Sequence, residues 1–385
     1  MQLLSPSAQA YAWGSRTLIQ KLRGEEQGTS PIAELWYGAH PGGPSQIGDE
    51  SLAEHIAAAP EQQLGHRVHS EFGERLPFLL KILAADQPLS LQAHPSLEQA
   101  QEGFARDNEQ GIQLGAHNRN YKDDNHKPEL LIALTEFHAM AGFRPLAKTL
   151  EMLRFLDCEE LERYIAMVVD NPLKESDNLR ALFTTWITIP TAHRRGLIAA
   201  VVASAKEKAD TAPEWMSAAL KNIVLLNEQY PGDVGVLGAI LLNYVVLQPG
   251  EAIYLDAGNL HAYVRGLGVE IMANSDNVLR GGLTSKHVDV PELVRVLKFS
   301  SLEDPIVEAE SGVYPVPINE FAIKRFDFDN TAEKIAHDGP AILLCTAGMV
   351  EVDGVVLGPT QALWLSAADA EVEARGQGQL FVATV

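Results

Sequence analysis

Gln92 and His94 stand two apart in Leu89-Ser90-Leu91-Gln92-Ala93-His94-Pro95, a stretch that alternates between apolar and polar side chains. Alternate residues of an extended chain share a face. Ser90, Gln92 and His94 therefore line one side of a strand, and Leu89, Leu91 and Ala93 the other. A hydroxyl, an amide and an imidazole in one row are groups that bind a ligand or a metal. A lone strand histidine is more often a hydrogen-bonded structural residue, so the case depends on what other elements bring to this row. Glu129, in the segment His126 to Leu134, and His261, at the glycine-containing corner Asp256 to His261, are the further candidates. Two histidines and a carboxylate are usual zinc ligands, and a neutral glutamine is a rarer but chemically sound fourth. The only cysteines, Cys158 and Cys345, exclude a Cys-type zinc cluster and a disulfide framework. Among the other histidines, His55, His66 and His69 read as solvated and His40 as structural.

Lys127, Arg280 and Lys286 are cations that neighbour the proposed ligands or the two-glycine loop at Gly281-Gly282. Each alone reads as a solvated side chain; together, in an acidic protein, they suit a phosphate or a developing oxyanion. Lys127 shares a strand face with Glu129. Glu270 and Asp276 flank the polar loop Asn274 to Gly282, and fit either acid/base groups or salt-bridged structural ones. No Gly-rich nucleotide loop, G-x-S-x-G elbow or Cys/His pairing is present.

The elements that must position these groups alternate between two textures. Up to about residue 145 the chain shows short apolar bursts and turns, with the strong strand Pro77 to Leu83. The Asp86-Gln87-Pro88 turn predicts a hairpin between that strand and Leu89 to Pro95. Ser51 and Glu54 predict a capping box opening a helix to Ala59, and a second helix runs from Ser96 to Arg106. From Pro145 to about Tyr230, leucines recur at helical spacing, a block read as an inserted subdomain. After Pro231-Gly232-Asp233 the β texture returns, with Val245 to Gln248 and Ala252 to Leu255 expected to pair across Pro249-Gly250-Glu251, then the strand Gly268 to Asn274. Short strands with Gly turns fill the tail. The expected fold is mainly β with an α insertion: cupin-like jelly-roll β-sandwich domains plus a helical subdomain. Residues 1–145 and 231–310 form the two parts of a catalytic β domain, 146–230 the helical insert, and 311–385 a C-terminal β-sandwich region.

At 385 residues and a net charge of −21, the chain is an ordinary globular composition that argues against broad nucleic-acid or membrane-surface binding. The N-terminus lacks a basic segment followed by an apolar run, and the longest apolar run, Val234 to Leu247, is shorter than the ~20 residues a membrane span needs. A cytoplasmic protein, monomeric and acting on a small molecule, is the expectation.

Several motifs, in order, carry a resemblance: Tyr11-Ala12-Trp13-Gly14-Ser15, Glu34-Leu35-Trp36, Leu91 to Pro95, Asn125 to Glu129, Val269 to Asn277, and Arg280-Gly281-Gly282-Leu283-Thr284-Ser285-Lys286 with Asp289-Val290. They closely resemble the type I mannose-6-phosphate isomerases, from the first residues to about residue 295. The tail is similar only in texture. The resemblance implies a cupin-type enzyme with one Zn2+ per chain, interconverting mannose 6-phosphate and fructose 6-phosphate through a cis-enediol. It implies Gln92, His94, Glu129 and His261 as zinc ligands and Arg280 as an essential arginine. Lys127 and Lys286 are implied as substrate or phosphate contacts, with Ser90 beside them, and His126, Glu270 and Asp276 as acid/base candidates. Glu270 is favoured as the base because its strand position directs it to the ligand face. Gly281 and Ser285 depart from the family's frequent Ala and Pro, and neither removes a functional group. Two other readings remain at this point: a non-catalytic sugar-phosphate-binding jelly roll, and a metal-dependent oxygenase using His94, His261 and Glu129.

Overall fold

The computed structural model describes residues 1–169 and 171–385. Its organising element is the long strand His261–Ala273, which belongs to two layers at once. Its first part pairs with Phe137–Phe143 and, through His261 and Gln92, with Leu91–Ala93. Its second part pairs with Phe78–Ala85 on one edge and Glu129–Ala133 on the other. The register shifts between Tyr263 and Arg265, next to Gly266 at φ +128. A Cβ on Gly266 would lie 2.6 Å from the Phe137 ring, so the corner requires glycine.

Around this strand the sheet has 11 strands. One layer runs Ile306–Val307, Ala252–Leu255, Glu129–Ala133, the long strand, Phe78–Ala85, Glu34–Tyr37 and Ser7–Gln9. The other holds Leu242–Leu247, Phe137–Phe143, Leu91–Ala93 and Leu279–Gly282. Strand alternation then sorts the side chains. Leu83, Ala85, Leu131 and Ala133 of the first layer meet Phe137, Ala139, Val245 and Tyr263 of the second, filling the space between the layers. Leu80, Ile82, Leu130, Ile132, Val269 and Ile271 face outward, against Ile342, Leu344, Trp364 and Phe381 of the tail.

The tail forms a 7-stranded antiparallel sheet whose main strands are Ala322–Ile335, Ala341–Val352 and Val372–Thr384. It doubles back on a core of its own, including Leu343, Cys345, Val350, Leu363 and Leu380. Gln2–Leu4 joins this sheet by pairing with Ala362–Leu365, so the first residues of the chain belong with the tail rather than with the β domain that follows them. On the opposite side, the helices Leu146–Leu156, Glu159–Ile165, Glu175–Ile187, Thr191–Lys208 and Glu214–Gln229 pack against the second layer through Leu91, Ala93, Met140, Ala262 and Leu279.

Two expected hairpins do not form. Phe78–Ala85 and Leu91–Ala93 lie in different layers, as do Leu242–Leu247 and Ala252–Leu255. A turn signal reports that the chain reverses, not which strand edge is free to receive it; here the long strand takes Phe78–Ala85 and Leu91–Ala93 as its own neighbours. The β texture after Asp233 also begins one element later, because Val234–Ile240 is a buried helix.

Both expected helix starts are present as capping boxes. Ser51 accepts from Glu54 N–H, and Ser96 from Gln99 N–H at 3.2 Å while the Gln99 side chain accepts from Ser96 N–H at 2.9 Å. Ser96 opens the helix Leu97–Glu109 two residues after His94. Ser96→Ala is expected to cost about 1 kcal/mol of unfolding free energy, with an unchanged denaturant slope, measured by urea denaturation followed by circular dichroism.

Candidate metal centre and its cavity

His94 is buried, with Nδ1 2.7 Å from the Asn277 carbonyl oxygen. A carbonyl only accepts, so Nδ1 holds the proton and Nε2 presents a lone pair. That Nε2 is buried without a hydrogen-bond donor and faces Glu129 Oε1 at 3.2 Å. His261 repeats the arrangement: Nδ1 donates to the Asn259 carbonyl at 3.0 Å, and Nε2 lies 3.5 Å from Glu129 Oε2. The Gln92 amide approaches His261 Nε2 at 3.4 Å. One ligand atom from each of His94, Glu129 and His261 falls within 4.8 Å of the others, and all three residues are buried. Burial first, then the nearby Lys127, pushes His94 down to about 4, so it is neutral near pH 7. Two imidazoles that turn Nε2 toward one buried carboxylate, the His94 one without a hydrogen-bond partner, form a donor set that fits zinc.

The local folding explains the convergence. Gln92 and His94 come from the end of the short strand in the second layer, Glu129 from the start of a first-layer strand, and His261 from the start of the corner strand. Asn277 is itself clamped: its amide donates to the Asp123 and Asn125 carbonyls at 2.8 Å and accepts from Lys122 N–H at 2.7 Å.

Gln92 and Glu129 line a cavity of about 490 Å³ together with Ser90, Lys127, Glu270, Asp276, Arg280 and Lys286 among others, while His94 and His261 lie outside its lining, against Glu129. Lys127 Nζ bonds Glu129 Oε1 at 2.7 Å. Burial alone would raise the Glu129 pKa; the Lys127 ammonium outweighs it and holds the carboxyl well below its usual range. Asp276 is lowered chiefly by its hydrogen bond from His40, whose Nε2 lies 3.4 Å away. Arg280 pairs in register with Gln92 and stands half-buried, and Lys286 is exposed at the rim. Among the described residues, neither cation has a carboxylate in its immediate field.

His126 does not join them. It lies outside the cavity lining, and its Nε2 pairs with Glu320. Being next to Lys127, it points away when Lys127 points in, so it is withdrawn from the acid/base candidates.

Lys81 and Glu34 are the groups that sequence reasoning missed. Lys81 Nζ bonds Glu270 Oε2 at 2.7 Å and lies 3.8 Å from Glu34 Oε1, which in turn belongs to a carboxylate accepting from Trp36 Nε1 at 2.7 Å. Burial opposes the Lys81 ammonium, but Glu270, Glu34 and Glu129 outweigh it and raise its pKa. Burial raises Glu270 in spite of Lys81. The available signal was one lysine inside Phe78-Leu79-Leu80-Lys81-Ile82-Leu83, a strand otherwise wholly apolar. Tyr263 was also missed; its hydroxyl donates to Glu129 Oε2 at 3.3 Å.

Lys81→Met leaves Glu270 buried without its cation, a change expected to cost about 3–5 kcal/mol of stability near pH 8. Glu270 already titrates above the ordinary range, and its loss of Lys81 raises it further. Protonation on the acid side therefore relieves the penalty, and the gap to the parent protein narrows as pH falls toward 5. Urea denaturation at the two pH values measures it.

Residues 1–146 match the family model described as the catalytic domain of type I phosphomannose isomerase. The chain is 38% identical to the mannose-6-phosphate isomerase of Escherichia coli K12, over 99% of this chain and 98% of the relative. It is 31% identical to mannose-6-phosphate isomerase 1 of Arabidopsis thaliana, over 99% and 92%. A solved, zinc-bound mannose 6-phosphate isomerase superposes with a TM-score of 0.90 at 36% identity, covering 100% of this chain and 98% of that one. A point variant of the Salmonella typhimurium phosphomannose isomerase gives 0.91 at 36% identity, covering 100% and 99%. With 38% identity maintained along almost its whole length, the chain belongs to the type I phosphomannose isomerase family.

Proposed function

We propose that this chain interconverts mannose 6-phosphate and fructose 6-phosphate as a zinc-dependent aldose–ketose isomerase. The observation that carries the reading is a cavity whose wall holds Glu129 and Gln92 of a zinc-suited donor set, a buried lysine–carboxylate pair and, among the described residues, two cations without carboxylate partners. Curated relatives of this length and identity are named for that reaction, and similar solved structures hold zinc. The oxygenase and binding-module readings are not favoured by any of these.

His94, His261, Glu129 and the Gln92 amide oxygen would hold the metal. A bound zinc supplies Lewis acidity, worth several kcal/mol of charge stabilisation at an oxygen that becomes anionic. The reaction moves a proton from C2 to C1 and another from O2 to O1, passing through the cis-enediol. Glu270 takes the carbon-bound proton and returns it to the neighbouring carbon. Lys81, 2.7 Å away, keeps Glu270 ionised despite its burial. Arg280 lies beside Gln92 in the sheet register and stabilises the enediolate. Lys127 and Ser90 contact the sugar hydroxyls, and Lys286 at the rim holds the phosphate. Asp276, polarised by His40, serves the oxygen-bound protons. The working form is proposed to be a monomer.

Chelation is expected to abolish fructose 6-phosphate formation in a coupled assay, and zinc to restore it. Inactive zinc-loaded protein would sink the assignment. Glu270→Gln is expected to lower kcat by about 10²–10⁴-fold while zinc content, read by atomic absorption, stays at one per chain. In the parent enzyme the acid limb of kcat should lie above the ordinary carboxylate range, because activity is lost as Glu270 gains its proton.

A further inference from the structure

Asp233 stands outside the cavity lining, between the helices Glu214–Gln229 and Val234–Ile240. One of its carboxylate oxygens accepts two backbone N–H bonds, both at 2.7 Å. The first comes from Gly235 and caps the helix that Asp233 opens. The second comes from Leu283, 50 positions along the chain and on the other side of the cavity wall. Helix capping explains the first bond and not the second.

Leu283 is 1% exposed, lines the cavity and has φ +54, the left-handed region that a branched side chain rarely adopts. Gly282 before it has φ +131. A Cβ on Gly282 would lie 2.5 Å from Gly235 N and 2.8 Å from Asp233 Oδ1. A Cβ on Gly235 would in turn lie 2.7 Å from Leu283 N. Two backbones are therefore in direct contact, and a hydrogen bond to Asp233 holds the less favourable conformation in place. Arg280, on the near side of this contact, is secured by its strand register with Gln92. Thr284, Ser285 and Lys286, on the far side, belong to no strand and all line the cavity.

We propose that Asp233 is a positioning residue: it fixes the Gly282–Lys286 turn to the start of the helix Val234–Ile240 and so sets where Lys286 meets the substrate phosphate. The proposal rests on the reading of Lys286 as the phosphate contact. It assigns the helix Val234–Ile240, which packs against the helical block, a part in binding, because Asp233 touches neither the substrate nor the reacting atoms.

The test is steady-state kinetics of the zinc-loaded full chain with mannose 6-phosphate. Asp233→Ser keeps a hydroxyl that caps Gly235, on an arm too short to serve Leu283 as well; Asp233→Asn keeps an oxygen that can accept both bonds. Asp233→Ser is expected to raise KM about tenfold with kcat within about twofold of the parent, and Asp233→Asn to stay within about twofold in both. In a Lys286→Ala background, Asp233→Ser is expected to add less than about twofold, since the two act through one contact. An unchanged KM in Asp233→Ser, with Lys286→Ala raising it, would overturn the positioning role. An unchanged KM in Lys286→Ala would instead remove the phosphate reading on which the proposal stands. Equal losses in the Ser and Asn variants, or full additivity with Lys286→Ala, would also overturn it. Should Asp233→Ser not fold, Gly282→Ala displaces the same contact and is expected to give the same KM-specific effect.

Discussion

Glu129 is a carboxylate with 1% exposure, and much of the surrounding structure serves to keep it charged. An ion removed from water costs several kcal/mol unless partners replace its hydration. Lys127 gives it a cation, Tyr263 a hydroxyl, and His94 and His261 turn unprotonated nitrogens toward it. Nitrogens with lone pairs cannot stabilise an anion by themselves, so the arrangement makes sense around a cation. Charge counting points the same way: Glu34, Glu129 and Glu270 against Lys81 and Lys127 leave one negative charge among these buried groups. A divalent ion reverses that sign to one positive charge, which suits an anionic intermediate.

The layered architecture is what makes such a site affordable. The central first-layer strands Phe78–Ala85 and Glu129–Ala133 bury both faces, one toward the tail sheet and one toward the second layer. The outward positions are uniformly apolar, so they supply the hydrophobic adhesion while the inward ones at one end of the sandwich are released for polar groups. Phe78–Ala85 shows both jobs in eight residues, with Leu80 and Ile82 outward and Lys81 inward. The tail and the helical block thus act as two outer walls that keep water from the charged interior. They also confine the entry side to the loops carrying Asp276, Arg280 and Lys286.

Backbone carbonyls give the site its precision. Asn277 and Asn259 each orient one histidine through Nδ1, and Asn277 is in turn tied to the Lys122–Asn125 segment. A ligand ring held by a carbonyl cannot change tautomer without losing that bond, so the lone pairs are preset. The same economy governs the rim, where the left-handed Leu283 is tolerated because Asp233, the cap of the helix Val234–Ile240, receives its N–H.

The chain by itself determined everything that depends on short-range pattern. Alternation put Gln92 and His94 on one side of a strand, capping residues announced the helix after Ser51, Ser96 to Arg106 read as a second helix, and leucine spacing marked the helical block. Motif order was specific enough to bring Glu129 and His261 to the same candidate set. What only the tertiary structure decided is which strands share an edge and which side chains meet across layers. Turn residues signalled reversals at Asp86–Pro88 and Pro249–Glu251, yet both reversals pass between layers: the corner strand takes Phe78–Ala85 and Leu91–Ala93, while Leu242–Leu247 pairs with Phe137–Phe143 and Ala252–Leu255 with Glu129–Ala133. The Lys81–Glu270 pair joins residues 189 apart, and His126 leaves the site for Glu320, 194 away. Burial, hydrogen-bond partners and the pKa values that follow from them depend on such distant neighbours. No local pattern encodes them, since the free energy of a buried charge is set by whatever the fold brings within a few ångströms of it.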